Sequence, residues 1–98
     1  MTMQSHTQIP TTHASRYLQQ LCKHWSHRFE TDFNAGTGRI LLPLGEVYLK
    51  SDAEILTIDL TAKDAADLSG LREVVVRHIE RFAFRERLRF DWSDPKVS

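Results

Sequence analysis

The chain has 98 residues, and its thirteen lysines and arginines are balanced by thirteen aspartates and glutamates. This length predicts one domain, and a domain of this size buries only about 60–65% of its unfolded surface. We therefore expect neither a deep cleft nor a large cofactor. The balanced charge creates no overall field that would attract nucleic acid or an anionic membrane, so we expect neither as a partner.

The N-terminal residues and the single cysteine indicate in which cellular compartment the protein is expected. The first residues lack the basic and apolar regions of a signal peptide, and no apolar run reaches the roughly 18 residues of a membrane span. Cys22 is the only cysteine, which excludes an internal disulfide and fits a reducing compartment. We expect a cytoplasmic protein. Residues 1–11 are polar and form either a flexible leader or a short edge strand over Thr7–Ile9.

Two helices are predicted from apolar residues that recur at spacings of three and four. The first covers Ala14–Phe29, with Thr12 as a candidate N-cap. The second begins after Asp64, whose side chain we expect to cap it, and runs to Glu86. Each helix has one apolar stripe, so each needs a surface to pack on.

Between the helices, three short segments have the apolar content or the alternation of β-strands. They are Arg39–Leu42, Glu46–Lys50 and Ile55–Ala62. Residues 30–38 are predicted to form a connector. Leu88–Trp92 alternates apolar and charged residues, which indicates either a final short strand or a helix tail that packs its aromatic rings.

The predicted order of elements is α-β-β-β-α, with or without one terminal strand. Short links between the strands favour antiparallel pairing. The sequence therefore predicts an α+β two-layer sandwich, in which two helices pack on one face of an antiparallel sheet of three to four strands. Residues 12–92 form the single domain, and residues 93–98 form a C-terminal tail.

Cys22, His24 and His27 form a C-x-H-x-x-H run, a pattern that raises the question of a metal site. A zinc site needs ligands that converge on one ion. On a helix with about 100° per residue, His24 lies about 160° from Cys22, and His27 about 140° from it. One helix cannot direct all three side chains to one ion, so we expect no metal site here.

A second set of polar residues lies on the two helix flanks that would face each other in this fold. Its imidazole, phenol and guanidinium groups suit a small anionic ligand or a metal chelate. The set consists of Tyr17, His24 and Arg28 on the first helix and His78, Arg81 and Arg85 on the second. The alternative is that His78 is a buried histidine with a backbone or carboxylate partner, and that the arginines form a solvated surface. We expect no catalytic residue among them.

Two stretches carry distinctive motifs. Ser15–Trp25 ends in C-K-H-W, and Val74–Glu86 contains H-x-x-R-F-A-x-R-E. With Leu88–Trp92 as a tail, these stretches resemble a family of short bacterial proteins of unknown function. Related domains are found with siderophore-interacting flavin reductases. The resemblance therefore implies a role near iron-chelate uptake or reduction, with a reductase as a partner.

The sequence supports three hypotheses about function. The first is a non-enzymatic accessory or binding module linked to iron–siderophore handling. The second is a small metal-dependent or acid–base enzyme that uses His24 and His78, although the sequence has no Ser-His-Asp signature and no paired carboxylates placed for catalysis. The third is a dimeric structural or interaction protein that associates through an exposed sheet face or an edge strand.

Overall fold

The computed structural model describes residues 2–83, 85–93 and 96–97 of the chain. Within these residues there are two helices and six strands. In chain order they are β1 (Met3–Pro10), α1 (Ala14–Trp25), β2 (Thr31–Phe33), β3 (Thr37–Leu42), β4 (Gly45–Ser51), β5 (Ile55–Ala62), α2 (Ala65–Phe82) and β6 (Lys96–Val97).

The strands form one antiparallel sheet, and both helices pack on the same face of it. The strand order in the described part of the chain is β2-β3-β4-β5-β1-β6. In β5, Leu56, Ile58 and Leu60 are fully buried, whereas Thr57 and Asp59 between them point to the opposite face. The predicted α+β fold of two helices on an antiparallel sheet is confirmed, but the sheet is larger than the three to four strands predicted.

The element order also differs, because the chain begins with a strand before the first helix. β1 pairs with β5 along its whole length and lies between β5 and the short β6. Its buried side chains are Ser5, Thr7 and Ile9. Two of these three inward positions are polar, so the apolar alternation that predicts a strand is missing from residues 1–11.

Arg72 of α2 explains why a serine lies on the buried face of β1. Its Nη2 donates to Ser5 Oγ at 2.8 Å and to the Ser93 carbonyl oxygen at 3.1 Å. Its guanidinium also lies 5.9 Å from the centroid of the Trp92 ring. The Ser93 amide donates to the His6 carbonyl oxygen at 2.7 Å, and the His6 amide donates to Ser93 Oγ at 2.9 Å. These contacts hold the segment after α2 against β1.

The segment Leu88–Trp92 forms neither the predicted strand nor a helix tail. Its backbone is irregular, but its side chains still alternate: Leu88, Phe90 and Trp92 pack against the core, and the residues between them are exposed. The predicted tail over residues 93–98 lies partly outside the described residues, which omit 94, 95 and 98.

β2 lies inside the segment 30–38 that the sequence predicts as a connector. Its three residues pair with β3. The turn between these strands is closed by Asn34, whose Oδ1 accepts from the amides of Gly36 at 2.8 Å and Thr37 at 2.9 Å. Three residues are too few to show an alternating pattern, so the sequence gives no strand signal here.

α1 is shorter than predicted, because it ends at Trp25 and not at Phe29. Thr12 is not its cap. The backbone amide of His13, just before the helix, donates instead to Thr11 Oγ1 at 3.1 Å. The chain after Trp25 continues as turns.

α2 begins as predicted and ends earlier than predicted. Asp64 Oδ1 accepts from the Asp67 amide at 2.8 Å, which confirms the expected N-cap. The helix ends at Phe82, and Glu86 therefore lies beyond it. Within the described residues, neither helix is long and apolar enough to cross a membrane.

Gly45 provides a test of the packing at the start of β4. Its φ is +155°, and a Cβ at this position would lie 2.2 Å from the Thr61 carbonyl oxygen. We expect Gly45→Ala to lower the free energy of unfolding by about 2–4 kcal/mol, because it adds both backbone strain and a clash with main chain. Urea denaturation measures this change.

Gly36→Ala is the matched control, because the nearest atom to its Cβ would be Asn34 Oδ1 at 3.7 Å. We expect its free energy of unfolding to stay within about 0.5 kcal/mol of the parent chain. Equal losses in the two variants would contradict this account of Gly45.

Candidate functional site

Charge is distributed unevenly along this neutral chain. Residues 1–29, which include α1, contain three cationic residues, four of the five histidines and no carboxylate. Residues 30–67, which include β2 to β5, contain eight carboxylates and three cationic residues. Arg81 near the end of α2 and Arg85 just beyond it add to the basic character of the helix layer.

Two imidazoles meet between α1 and α2. The ring centroids of His24 and His78 lie 5.1 Å apart, with an angle of 51° between the ring planes. The buried Trp25 ring lies 4.8 Å from the His78 ring, and the Phe82 ring meets His24 edge-on at 6.2 Å. The two helix flanks therefore meet, and they bring together one predicted site residue from each helix.

His78 is oriented by its own helix. Its Nδ1 lies 2.7 Å from the Val74 carbonyl oxygen. A carbonyl oxygen only accepts hydrogen bonds, so Nδ1 carries the proton in this contact, and Nε2 of the neutral ring holds the lone pair. The half-buried ring thus has the backbone partner that one interpretation of the sequence predicts.

The surroundings of His24 favour its neutral form. Loss of solvent contact beside the neighbouring rings lowers the pKa of His24 below its ordinary value of 6.5, and the positive charges of His78, Arg81 and His27 lower it further. Arg81 is therefore close enough to act electrostatically on His24.

Glu86 receives two hydroxyl donors at the other end of this flank. The hydroxyl of the buried Tyr17 donates to Glu86 Oε2, and the Thr11 hydroxyl lies 3.0 Å from Oε1 and 3.2 Å from Oε2. Burial, followed by the hydrogen bond to Glu86 and its negative charge, raises the pKa of Tyr17 to about 12. At neutral pH this phenol is a proton donor to Glu86 and not a base.

A pocket of about 420 Å³ opens beside this hydrogen bond. Its walls combine cationic, aromatic and carboxylate groups: His13, Arg16, Tyr17, Phe82, Arg85 and Glu86. Phe82 also contacts His24, so this ring joins the pocket to the imidazole pair. We name the lining residues of the pocket, together with His24, His78 and Arg81, the inter-helix groove.

Five of the six predicted site residues lie in the inter-helix groove: Tyr17, His24, His78, Arg81 and Arg85. Arg28 was assigned to the same flank on the expectation that α1 continues to Phe29. The helix ends before both residues, and the Arg28 guanidinium lies 5.9 Å from the centroid of the Phe29 ring. A role in ligand binding stays a prediction for all six.

The sequence did not predict the hydrogen bond between Thr11 and Glu86 at one end of the groove. Thr11 and Glu86 lie near opposite ends of the chain, and Thr11 belongs to no recognisable pattern. Glu86 does stand in the H-x-x-R-F-A-x-R-E motif, which is the one signal that pointed to it.

Cys22 is a packing residue. It is fully buried, and burial raises the pKa of its thiol to about 11. Its Sγ fills the space above Gly38, where a Cβ would lie only 2.6 Å away. The thiol is thus held in its protonated form inside the core.

Known proteins share this fold. Residues 6–93 match a family described as "Uncharacterized protein conserved in bacteria (DUF2218)". The chain belongs to this family. The NMR structure of PA4090 from Pseudomonas aeruginosa is similar to it, with a TM-score of 0.79 and 30% sequence identity over 93% of this chain and 95% of that chain. No curated protein matches the sequence. The DUF2218 match bears out the resemblance to an uncharacterised bacterial family and says nothing about siderophores.

The Tyr17 phenol of this DUF2218 domain should titrate near pH 12 and not at its ordinary value of 10.0. Between these values the unfolded chain has lost the proton that the folded chain keeps, so the free energy of unfolding should fall as the pH rises from 10 to 12. Tyrosinate absorbance in a Tyr48→Phe background reports Tyr17 alone. Adding Glu86→Gln should lower this pKa, and an unchanged value would contradict the role given to the carboxylate.

We also expect Glu86→Ala to lower the free energy of unfolding by about 1–3 kcal/mol, because the buried Tyr17 and Thr11 hydroxyls lose their acceptor. Glu80→Ala, at an exposed position of α2, is the control and should change it by no more than about 0.5 kcal/mol. Denaturant unfolding measures both variants. Similar losses in the two would show that the hydroxyl contacts to Glu86 contribute nothing specific.

Proposed function

We propose that this domain is a non-enzymatic binding module whose inter-helix groove takes an anionic ligand, and that an iron–siderophore complex belongs to the class it takes. The observation that carries the proposal is the convergence of cationic and aromatic groups from both helices on one groove. Small-molecule sites typically combine apolar walls with a few convergent polar groups of this kind.

The charge of the groove favours an anion. Its ionisable groups include Arg16, Arg81 and Arg85, all at exposed positions, and a single carboxylate, Glu86. The carboxylate already accepts hydrogen bonds from two hydroxyls, so its oxygens are engaged within the protein. Guanidinium groups bind carboxylates and other planar oxygen anions with two parallel hydrogen bonds.

The rings of the groove favour a ligand with flat or aromatic parts. Phe82 is half-buried and lies between the pocket and the imidazole pair, where one face of a ligand could pack on it. Such stacking stabilises aromatic pairs by about 0.5–1.5 kcal/mol beyond area burial. A catecholate iron complex combines aromatic rings with net negative charge, and both features match the groove.

The sequence resemblance adds the association with siderophore-interacting flavin reductases. In this role the domain holds or presents the chelate and leaves the redox chemistry to a partner reductase in the cytoplasm.

The test is calorimetric titration with two ferric complexes of different charge. We expect an anionic ferric tris-catecholate to bind and a neutral ferric trihydroxamate to bind at least about tenfold more weakly. The double variant Arg81→Gln/Arg85→Gln should weaken binding of the anionic complex at least about tenfold, because charge-assisted hydrogen bonds are lost.

Arg77→Gln is the matched control, since Arg77 is exposed on the outer surface of α2 together with Glu73 and Glu80. It should leave the affinity unchanged. Equal binding of the two complexes, or equal losses in the double variant and the control, would overturn the proposal.

A further inference from the structure

We propose that His24 and His78 form a two-imidazole site for a divalent transition-metal ion of the copper, nickel and zinc class, which binds without any preformed chelate. This goes beyond the anion binding proposed above, because the ion carries the opposite charge and binds to the ring nitrogens of the groove and not to its guanidinium groups.

The distance between the rings fits a shared ion. Imidazole nitrogens bind these metals at about 2.0–2.1 Å, which places each ring centroid about 3.2 Å from the metal. Two such rings at a tetrahedral angle have centroids about 5.2 Å apart. The observed separation is 5.1 Å. The separation of the two rings is therefore the one that a shared ion requires.

The hydrogen bond of His78 is the kind that supports a metal ligand. Metal-binding histidines usually donate their second ring N–H to a carbonyl or carboxylate, which fixes the tautomer and the ring orientation. In His78 that partner is the Val74 carbonyl oxygen, at 2.7 Å from Nδ1. Nε2 is thereby left as the nitrogen that can bind an ion.

The neighbouring rings restrict the orientation of both imidazoles. Trp25 is 5% exposed and packs 4.8 Å from the His78 ring, while Phe82 packs edge-on against His24. Fixed ligands lose less conformational entropy when an ion binds. The C-x-H-x-x-H run in the sequence could not reveal this site, because the second imidazole comes from α2 and not from α1.

The site is open. In the part of the chain that the structure describes, no third histidine, cysteine, aspartate or glutamate joins the pair to make a larger ligand cluster. Water or small oxygen ligands would complete the coordination. Imidazole nitrogen is a preferred ligand of copper, nickel and zinc, and hard ions such as magnesium prefer oxygen.

The test is titration of the protein with copper, nickel and zinc chloride in separate experiments, with no chelating ligand present. We expect binding at a ratio of one ion to one chain. His24→Ala and His78→Ala should each weaken it at least about tenfold, and zinc should shift the 15N resonance of Nε2 in His78.

His6→Ala is the matched control, because His6 is exposed on the sheet face opposite the helices. His27→Ala tests whether His27, which acts on His24 through its charge, is a ligand in place of His78. Both variants should keep the parent affinity. His24 is also exposed, so His24→Ala is expected to fold, and it decides the question if His78→Ala does not.

The variant Arg81→Gln/Arg85→Gln separates this inference from the proposed function. It should keep its metal affinity or gain some, because a cation near the ion is removed, while it loses the anionic complex. Parent-like metal binding in His24→Ala, or a loss in His27→Ala as large as in His24→Ala, would overturn the two-imidazole site whatever the outcome with ferric complexes.

Discussion

The inter-helix groove exists because both helices must cover the same face of one sheet. The buried side chains of β1 and β3 to β5 face one way, and within the described residues α1 and α2 supply the apolar stripes that cover them. Helices packed side by side lie about 8–10 Å apart, so their inner flanks meet. Of the polar residues on those flanks, Tyr17 is buried with the core, whereas His24 stays partly exposed and loses only part of its water. Desolvation of this kind is what lowers the pKa of His24 and raises that of Tyr17.

The carboxylate of Glu86 ties the end of the groove to the start of α1. Because α2 ends at Phe82, the chain can turn back, and Glu86 reaches the hydroxyls of Thr11 and Tyr17. The early end of α2 and the hydrogen bonds of Glu86 are thus parts of one arrangement.

A similar arrangement on the other flank of α2 shows what the sequence could not reveal. β5, both helix starts and the Asp64 cap were predictable, because each rests on local pattern or local hydrogen bonding. β1 was predicted only in part, as a short edge strand over Thr7–Ile9 that was one of two alternatives. Its first half was missed because Ser5 occupies an inward position where a distant arginine, Arg72, and the segment after α2 supply its partners. Only the folded chain brings those groups together.

The residues of the candidate site were likewise predictable only where they lie in regular secondary structure. Helical periodicity placed His24 and His78 on flanks that meet, because both lie within regular helix. The same reasoning extended to Arg28 assumed helix where the chain forms turns. The contact between Thr11 and Glu86 could not be predicted, since neither helical nor strand periodicity relates residues so far apart in the chain.

The composition of the groove bears on whether its two proposed ligands bind separately or together. Sites for hard divalent ions usually contain carboxylates, whereas copper, nickel and zinc accept neutral imidazole ligands. The groove places Arg81 near His24 of the imidazole pair. That cation opposes a bare ion but attracts anionic oxygen ligands. Two imidazoles leave most coordination positions open, and such ligands would occupy them. The ion held by the imidazoles and an oxyanion attracted by the guanidinium groups can therefore bind at the same time, and each is expected to bind alone.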